Sequence, residues 1–304
     1  MKISTTTETL ARLYGEEKAI VKLAEAGFDA MDYSAFIHDA QTGIYSQKGF
    51  DKYARRLKIV AEAAGIEFGQ IHAQIPSPSE PDYRARQALW DELAIHNIIT
   101  ASILECPYVV FHPIIMMDRR YDRLYRENFD LNVEYFGKMQ PYLKEYGVKV
   151  AVENMWHWDD EKKVICPSVC SSPEELLLLC ETLGDTYFDV CLDVGHTVLT
   201  DRTPESMVYA LKQKLQVLHV HDNDGIDDTH DCPFNGRPIY MMTEMTAQRS
   251  INWEAFMKAL HDVGYAGTLS LEADSFVKKF PEPLRWEAAA FMAKVARYLA
   301  SLAQ

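Results

Sequence analysis

Eight short apolar runs alternate with longer amphipathic stretches from one end of this 304-residue chain to the other. That alternation narrows the available folds more than any single motif does. The runs are "KIST" from Lys2, "FDAMDYS" from Phe28, "EFGQIHA" from Glu67 and "YVVFHP" from Tyr108, then "VKVAVEN" from Val148, "FDVCLDV" from Phe188, "QVLHVHD" from Gln216 and "GTLSLEAD" from Gly267. Their length and β-branched content suit strands. The stretches between them carry helical periodicity. "EEKAIVKLAEAG" and "FDKYARRLKIVAEAAG" close on Gly27 and Gly65, as C-terminal caps do. "SSPEELLLLCETLG" and "TPESMVYALKQKL" open with Ser or Thr ahead of a Pro suited to the first helical position. Pro141, inside "NVEYFGKMQPYLKEYG", predicts a kink or a break. No linker-like stretch or short tandem repeat divides the chain, so one α/β domain over residues 1–304 is expected.

Eight strand–helix units in about 300 residues fit a closed (β/α)8 TIM barrel. A doubly wound open sheet would want a glycine-rich first turn, and "TTTETLARLYGEE" offers none. Two connections are longer than a barrel needs, at about 154–172 and 223–250. Long loops after barrel strands usually cover or form the active site. The first carries Trp156, His157 and Trp158, which could wall a pocket or pack over a helix end.

Composition excludes some partners. Lys and Arg number 31 against 45 Asp and Glu, a net charge of −14. With no basic cluster to offset it, such a surface repels nucleic-acid backbones. A small molecule is the better-suited ligand. The six cysteines lack CxxC spacing and read as buried reduced thiols. The N-terminus has no apolar signal core and no apolar run is long enough for a bilayer, so a cytoplasmic protein away from membranes is expected.

The strand ends carry the chemistry. The third strand ends at His72, the fourth at His112, the fifth at Glu153 and Asn154. The sixth supplies Asp193 and His196, the seventh His219 and His221, and the eighth Glu272. In a closed barrel these ends meet at one face. A lone strand-end histidine is usually structural, and His38, His96, His157 and His261 are taken so. Six successive strands delivering His, Asp or Glu to one rim point to a divalent cation, which offsets the cost of gathering buried carboxylates and imidazoles. A carboxylate-rich set without cysteine favours Mn2+ or Mg2+, with Zn2+ as the alternative. Two glutamates flanking a metal suit proton transfer beside a carbonyl through an enediolate, giving epimerisation or isomerisation.

With these motifs assembled, the chain resembles the xylose isomerase-like TIM-barrel superfamily, and most of all its sugar-phosphate isomerase/epimerase branch of ketose 3-epimerases and inosose dehydratases. "AVEN" at 151–154, "LDVGH" at 192–196, "HVHDNDG" at 219–225 and "LSLEAD" at 269–274 carry the likeness, with "IHA" at 71–73 and "FHP" at 111–113 in register. The resemblance implies a metal held by Glu153, Asp193, His219 and Glu272, with Glu153 and Glu272 as the acid/base pair. It implies substrate contacts from His72, His112 and His196, to which His221 and Trp156 are added as neighbours. The His-x-x-Asp spacing fits both His219 to Asp222 and His221 to Asp224, so the strand-seven ligand stays open, with His219 preferred.

Endonuclease IV-like relatives hold three zinc ions with further His and Asp residues, and Asp228 and His230 could complete such a set. "PFNGRPIYMM" replaces the Gly-Glu-Gly turn frequent in the family, and Arg237 within it could meet a substrate hydroxyl or phosphate. The expected function is a metal-dependent epimerase or isomerase acting on a sugar or sugar phosphate. A dehydratase, a multinuclear phosphodiesterase and a catalytically idle sugar-binding barrel are the alternatives. The aromatic Trp156 segment could also serve a contact between copies in a homo-oligomer.

Overall fold

In the computed structural model of the protein, residues 1–76, 83–116, 125–235 and 251–303 are described. Arg237 and positions 236–250 of the second long connection lie outside them.

Every expected strand forms: β1 (Ile3–Thr5), β2 (Ala30–Ser34), β3 (Glu67–His72), β4 (Tyr108–Phe111) and β5 (Lys149–Glu153), then β8 (Phe188–Asp193), β9 (Leu215–His219) and β10 (Leu269–Leu271). A short antiparallel hairpin, β6 (Trp156–Asp159) and β7 (Val164–Pro167), lies inside the first long connection. Parallel pairing runs β2-β3-β4-β5-β8-β9, and β1 pairs with β10. Single parallel bridges, Thr6 to Asp32 and Val220 to Leu271, join the two sheets, so the eight parallel strands close into a ring. Closure leaves the ring of eight strands without a free edge.

Helices pack against the outside. Their ends follow the sequence signals: Gly27 and Gly65 cap in the left-handed conformation, at φ of 96° and 73°. The hydroxyls of Ser172 and Thr203 accept from the N–H groups of Glu175 and Ser206, each followed by its proline. At Pro141 the pattern breaks. One helix runs Tyr125–Gly137 and a second Gln140–Tyr146, with the proline in the second helix's first turn, where its missing N–H costs nothing. The main apolar core fills the layer between strands and helices. A smaller cluster, Val110, Ala151, Cys191 and Val217 beside Tyr108, plugs the barrel interior. Five cysteines, Cys106, Cys170, Cys180, Cys191 and Cys232, are buried thiols. Among the described residues no helix is long and apolar enough to cross a membrane.

Two strands carry one extra residue. The β2–β3 ladder shifts between Met31–Phe68 and Asp32–Gln70, bulging at Gly69. The β8–β9 ladder shifts between Val190–Leu215 and Cys191–Val217, bulging at Gln216. Such a bulge breaks the period-2 alternation, so side chains below and above it follow different phases. Phe68 therefore shares the outer face of Met31, whereas Gln70 and His72 join Asp32 and Ser34 inside.

Side-chain amides fix the loops above the strands. Asn132 accepts from the Ile114 N–H (2.7 Å) and donates to the Ile114 carbonyl (2.8 Å), while Asn128 accepts from the Met116 N–H (2.7 Å). Gln74 donates to the Ala35 carbonyl (2.9 Å) and accepts from Asn97. Replacing Asn132 by Ala leaves the buried N–H and carbonyl of Ile114 without partners, two residues beyond His112. The expected loss is about 2 kcal/mol of stability, read by urea unfolding.

Candidate active site

The C-terminal strand ends deliver their polar groups to one rim. Glu153 and Asp193 close β5 and β8, His219 closes β9, and Glu272 follows β10. All four are buried; Glu153, Asp193 and His219 are at most 1% exposed. One ligand atom from each lies within 4.8 Å of the others. His219 is central: its Nδ1 stands 3.1 Å from Glu153 Oε2 and 3.2 Å from Glu272 Oε2. His221, the alternative ligand, reaches the set at Asp193. Its Nε2 contacts both Asp193 oxygens at 3.1 Å, and its ring stacks on His230 at 4.1 Å. Both strand-seven histidines therefore touch the acidic set, His219 at the two glutamates and His221 at Asp193.

Glu153 is ringed by imidazoles. His112 Nε2 lies 3.2 Å from its Oε2, His72 Nε2 3.6 Å from the same oxygen, and His196 Nδ1 3.5 Å from Oε1. Burial alone would push this carboxyl up, but the His112 and His219 imidazoles outweigh it and hold Glu153 well below the usual carboxylate range. Glu272 goes the other way. Burial pushes it up to about 8, against the lowering pull of His219 and His230. The two glutamates thus shift in opposite directions, Glu153 through its imidazole neighbours and Glu272 through burial.

Asp193 also caps the short helix Val194–Leu199, accepting from the His196 N–H at 2.7 Å. Asn154 clamps the backbone of Asp193 from both sides, accepting from its N–H (2.7 Å) and donating to its carbonyl (3.0 Å). The Asn154 carbonyl accepts from His196 Nδ1 at 2.8 Å, which leaves His196 Nε2 on the opposite side of the ring. That atom faces Asp228 Oδ1 at 3.4 Å, as does His230 Nε2. His196, Asp228 and His230 are thereby a second set whose atoms converge, and His72, Glu153 and His219 are a third.

These sets fit divalent cations on the evidence of their own unmet polarity. Glu153 Oε2, His219 Nδ1, His196 Nε2 and Asp228 Oδ1 are buried and lack an aligned hydrogen bond, although each lies within 3.5 Å of an opposite partner. Lone pairs aimed at a shared point are what a cation satisfies, and buried polar groups are otherwise costly.

Above the rim opens a cavity of about 250 Å³ lined by Phe36, His72, His112, Glu153, His196 and Glu272, with Glu8, Asp228, His230 and Asp274 also on its wall. A larger cavity, about 620 Å³, opens at the opposite end, beside Lys2, Glu67 and Tyr108, far from these groups. Trp156 is half-buried with its ring 6.5 Å from that of His196, while Trp158 points outward and donates to Asp160. Of the histidines taken as structural, His38 contacts Glu16 at 3.0 Å, and His96 donates to the Tyr45 carbonyl. His157 is buried in the hairpin and His261 lies on the surface.

Asp32 escapes a sequence-based search. It sits in the interior of β2, 3.1 Å from His219 Nε2, and "FDAMDYS" places it in phase with Ala30 and Ser34, with no motif around it. The signal was the wrong-facing charge: a carboxylate among strand residues buried on both sides.

A family model described as xylose isomerase-like TIM barrel matches residues 20–295. A D-tagatose 3-epimerase-like protein superposes with a TM-score of 0.73 at 21% identity, covering 100% of this chain and 98% of that one. A D-psicose 3-epimerase, solved with D-fructose, gives 0.73 at 14% identity over 99% of each chain. A 3-keto-D-glucoside 4-epimerase of E. coli gives 0.72 at 10% identity over 97% and 99%. Among curated relatives, an uncharacterised protein of Sinorhizobium fredii is 27% identical over 187 residues, 60% of this chain and 51% of that protein. The match therefore spans about half the length of that relative. One of Methanocaldococcus jannaschii is 24% identical over 255 residues, 83% of this chain and 76% of that protein.

Gly195 sits against the His221 ring so tightly that an added Cβ would lie 2.0 Å from its Cε1. Gly195→Ala must therefore displace the imidazole from Asp193. The expected cost is about 1–3 kcal/mol in urea unfolding, accompanied by a shifted His221 resonance.

Proposed function

Because the chain belongs to the xylose isomerase-like TIM-barrel family, we propose that it is a metal-dependent sugar epimerase or isomerase acting on a ketose or related polyol ketone. The observation that carries this is the pair of carboxylates that line the cavity, Glu153 and Glu272, meeting at one imidazole nitrogen, His219 Nδ1. Solved neighbours named as ketose epimerases point the same way.

Glu153, Asp193, His219 and Glu272 would hold the ion. When bound, it supplies charge stabilisation to the carbonyl and neighbouring hydroxyl oxygens. One glutamate takes the proton beside the carbonyl, and the other returns it. Return to the same carbon from the opposite side inverts it, and return to the neighbouring carbon exchanges aldose and ketose. His72 and His112, on the cavity wall, offer hydrogen bonds to sugar hydroxyls. The described wall carries several carboxylates and no Lys or Arg, which favours an uncharged sugar over a phosphorylated one.

Elemental mass spectrometry of the purified protein, with Glu153→Gln as control, tests the metal. One Mn2+ or similar ion per chain is expected, lost in the control. On a ketose panel, Glu153→Gln and Glu272→Gln should each lower turnover at least about 100-fold with the fold intact. Full turnover in both variants sinks the assignment. Sugar binding without turnover in the wild type would identify an idle binding barrel.

A second reading rests on the converging His196, Asp228 and His230 set. Two or three zinc ions per chain, together with phosphodiester hydrolysis, would identify a multinuclear hydrolase. The net charge of −14 weighs against a nucleic-acid substrate.

A further inference from the structure

We propose that the outward face of the C-terminal helix, Arg285–Leu302, is a dimerisation surface. Its occupant is a second copy of this chain, packed antiparallel about a two-fold axis at Phe291. The proposal stands independently of the catalytic reading and of any metal.

A helix on the outside of a barrel ordinarily buries one face and shows polar residues on the other. This one buries Met292, Ala296 and Leu299. Its outward side breaks the rule. Leu284, just ahead of the helix, Phe291 and Tyr298 are 49%, 53% and 55% exposed. They recur every seven residues, so they fall on one stripe. Phe234 extends it, with its exposed ring 5.7 Å from that of Tyr298. The Phe234 backbone is in the left-handed region at φ 70°, a costly conformation for a bulky residue whose ring ends in water. Large apolar groups gathered in this way mark an interaction surface, whereas singly scattered ones do not.

The charges on the same stripe identify the occupant. Glu287 lies three residues after Leu284 and Lys294 three after Phe291, which keeps both on this side. Both are exposed, and neither is in an ion pair among the described residues. Neither has an opposite charge three or four places away along the helix, where a partner would be in reach. Arg297, by contrast, is already engaged by Asp29 at 2.7 Å.

In an antiparallel pair of such helices with Phe291 on the axis, each residue opposes the one equally far beyond Phe291. Leu284 then meets Tyr298 of the partner subunit, and Phe291 meets its own copy. Glu287, four places before Phe291, meets the turn that carries Lys294 of the partner subunit, three places after it. The two-fold axis makes that contact twice. A parallel pairing would set Glu287 against its copy and Lys294 against its copy, and like charges repel. The stripe is therefore complementary to itself in the antiparallel orientation, as an isologous contact requires. With a net charge of −14, two chains repel one another at long range, so association needs local pairing of this kind.

Sedimentation equilibrium of the full chain and three variants, Glu287→Lys, Lys294→Glu and the two together, tests the proposal. The wild type is expected to be a dimer. Each single reversal turns both attractions into repulsions and should weaken dimerisation about tenfold. The double variant exchanges the charges and should recover the wild-type affinity. Both positions are exposed, so equal Tm values are expected throughout. A monomeric wild type overturns the proposal. So does a dimer indifferent to the single reversals, or a double variant no stronger than the singles. A readout without variants is carbodiimide cross-linking of mixed nitrogen-15-labelled and unlabelled wild type. An amide between Glu287 and Lys294 that joins a labelled to an unlabelled peptide is expected, and its absence from the cross-linked dimer overturns the proposal as well.

Discussion

The rest of the structure depends on one electrostatic constraint: four carboxylates, Asp32, Glu153, Asp193 and Glu272, are buried in the barrel mouth with imidazoles as their charged neighbours. Guanidinium and ammonium groups carry a permanent charge, but an imidazole's charge is conditional on a proton. Charge balance at the centre of the molecule is therefore left to mobile ions, whether protons or metals. A site of this kind is unfavourable as packing alone and makes sense as a receptor for positive charge.

The fold meets that constraint by separating layers. The apolar plug of Val110, Ala151, Cys191 and Val217 lies below the carboxylates, and the cavity lined by Glu153 and Glu272 opens above them. Above it, parallel strands bring groups from distant parts of the sequence within hydrogen-bonding range, because every strand ends at the same face. Asp193 shows how economically this is done. It terminates a strand, caps the following helix and joins the ligand set with a single carboxylate.

How much of this the sequence disclosed depends on what local pattern can encode. The eight strands were legible because each is an apolar run bounded by turn or cap residues, and the strand-end His, Asp and Glu were legible because barrel geometry forces such ends together. Pattern could not separate His219 from His221: both precede an aspartate by three residues, and both touch the acidic set, one at the glutamates and the other at Asp193. The hairpin at Trp156–Asp159 and Val164–Pro167 was hidden by its brevity and by tryptophans that suited a loop over a pocket equally well. Asp32 was missed because it lies mid-strand in "FDAMDYS" rather than at a strand end, and its partner Gln70 turns inward only through the bulge at Gly69.

The amide contacts of the upper loops divide the labour in a further way. Asn132 and Asn128 hold the segment beyond β4, Asn97 and Gln74 the segment beyond β3, and Asn154 locks β5 to β8. Carboxamides do not titrate in water. The frame that spaces the rim is thus indifferent to acidity, while the His, Asp and Glu side chains on the cavity wall can gain or lose a proton. A protein so built can redistribute charge among its acids and imidazoles without redrawing their positions, which leaves geometry constant while chemistry varies.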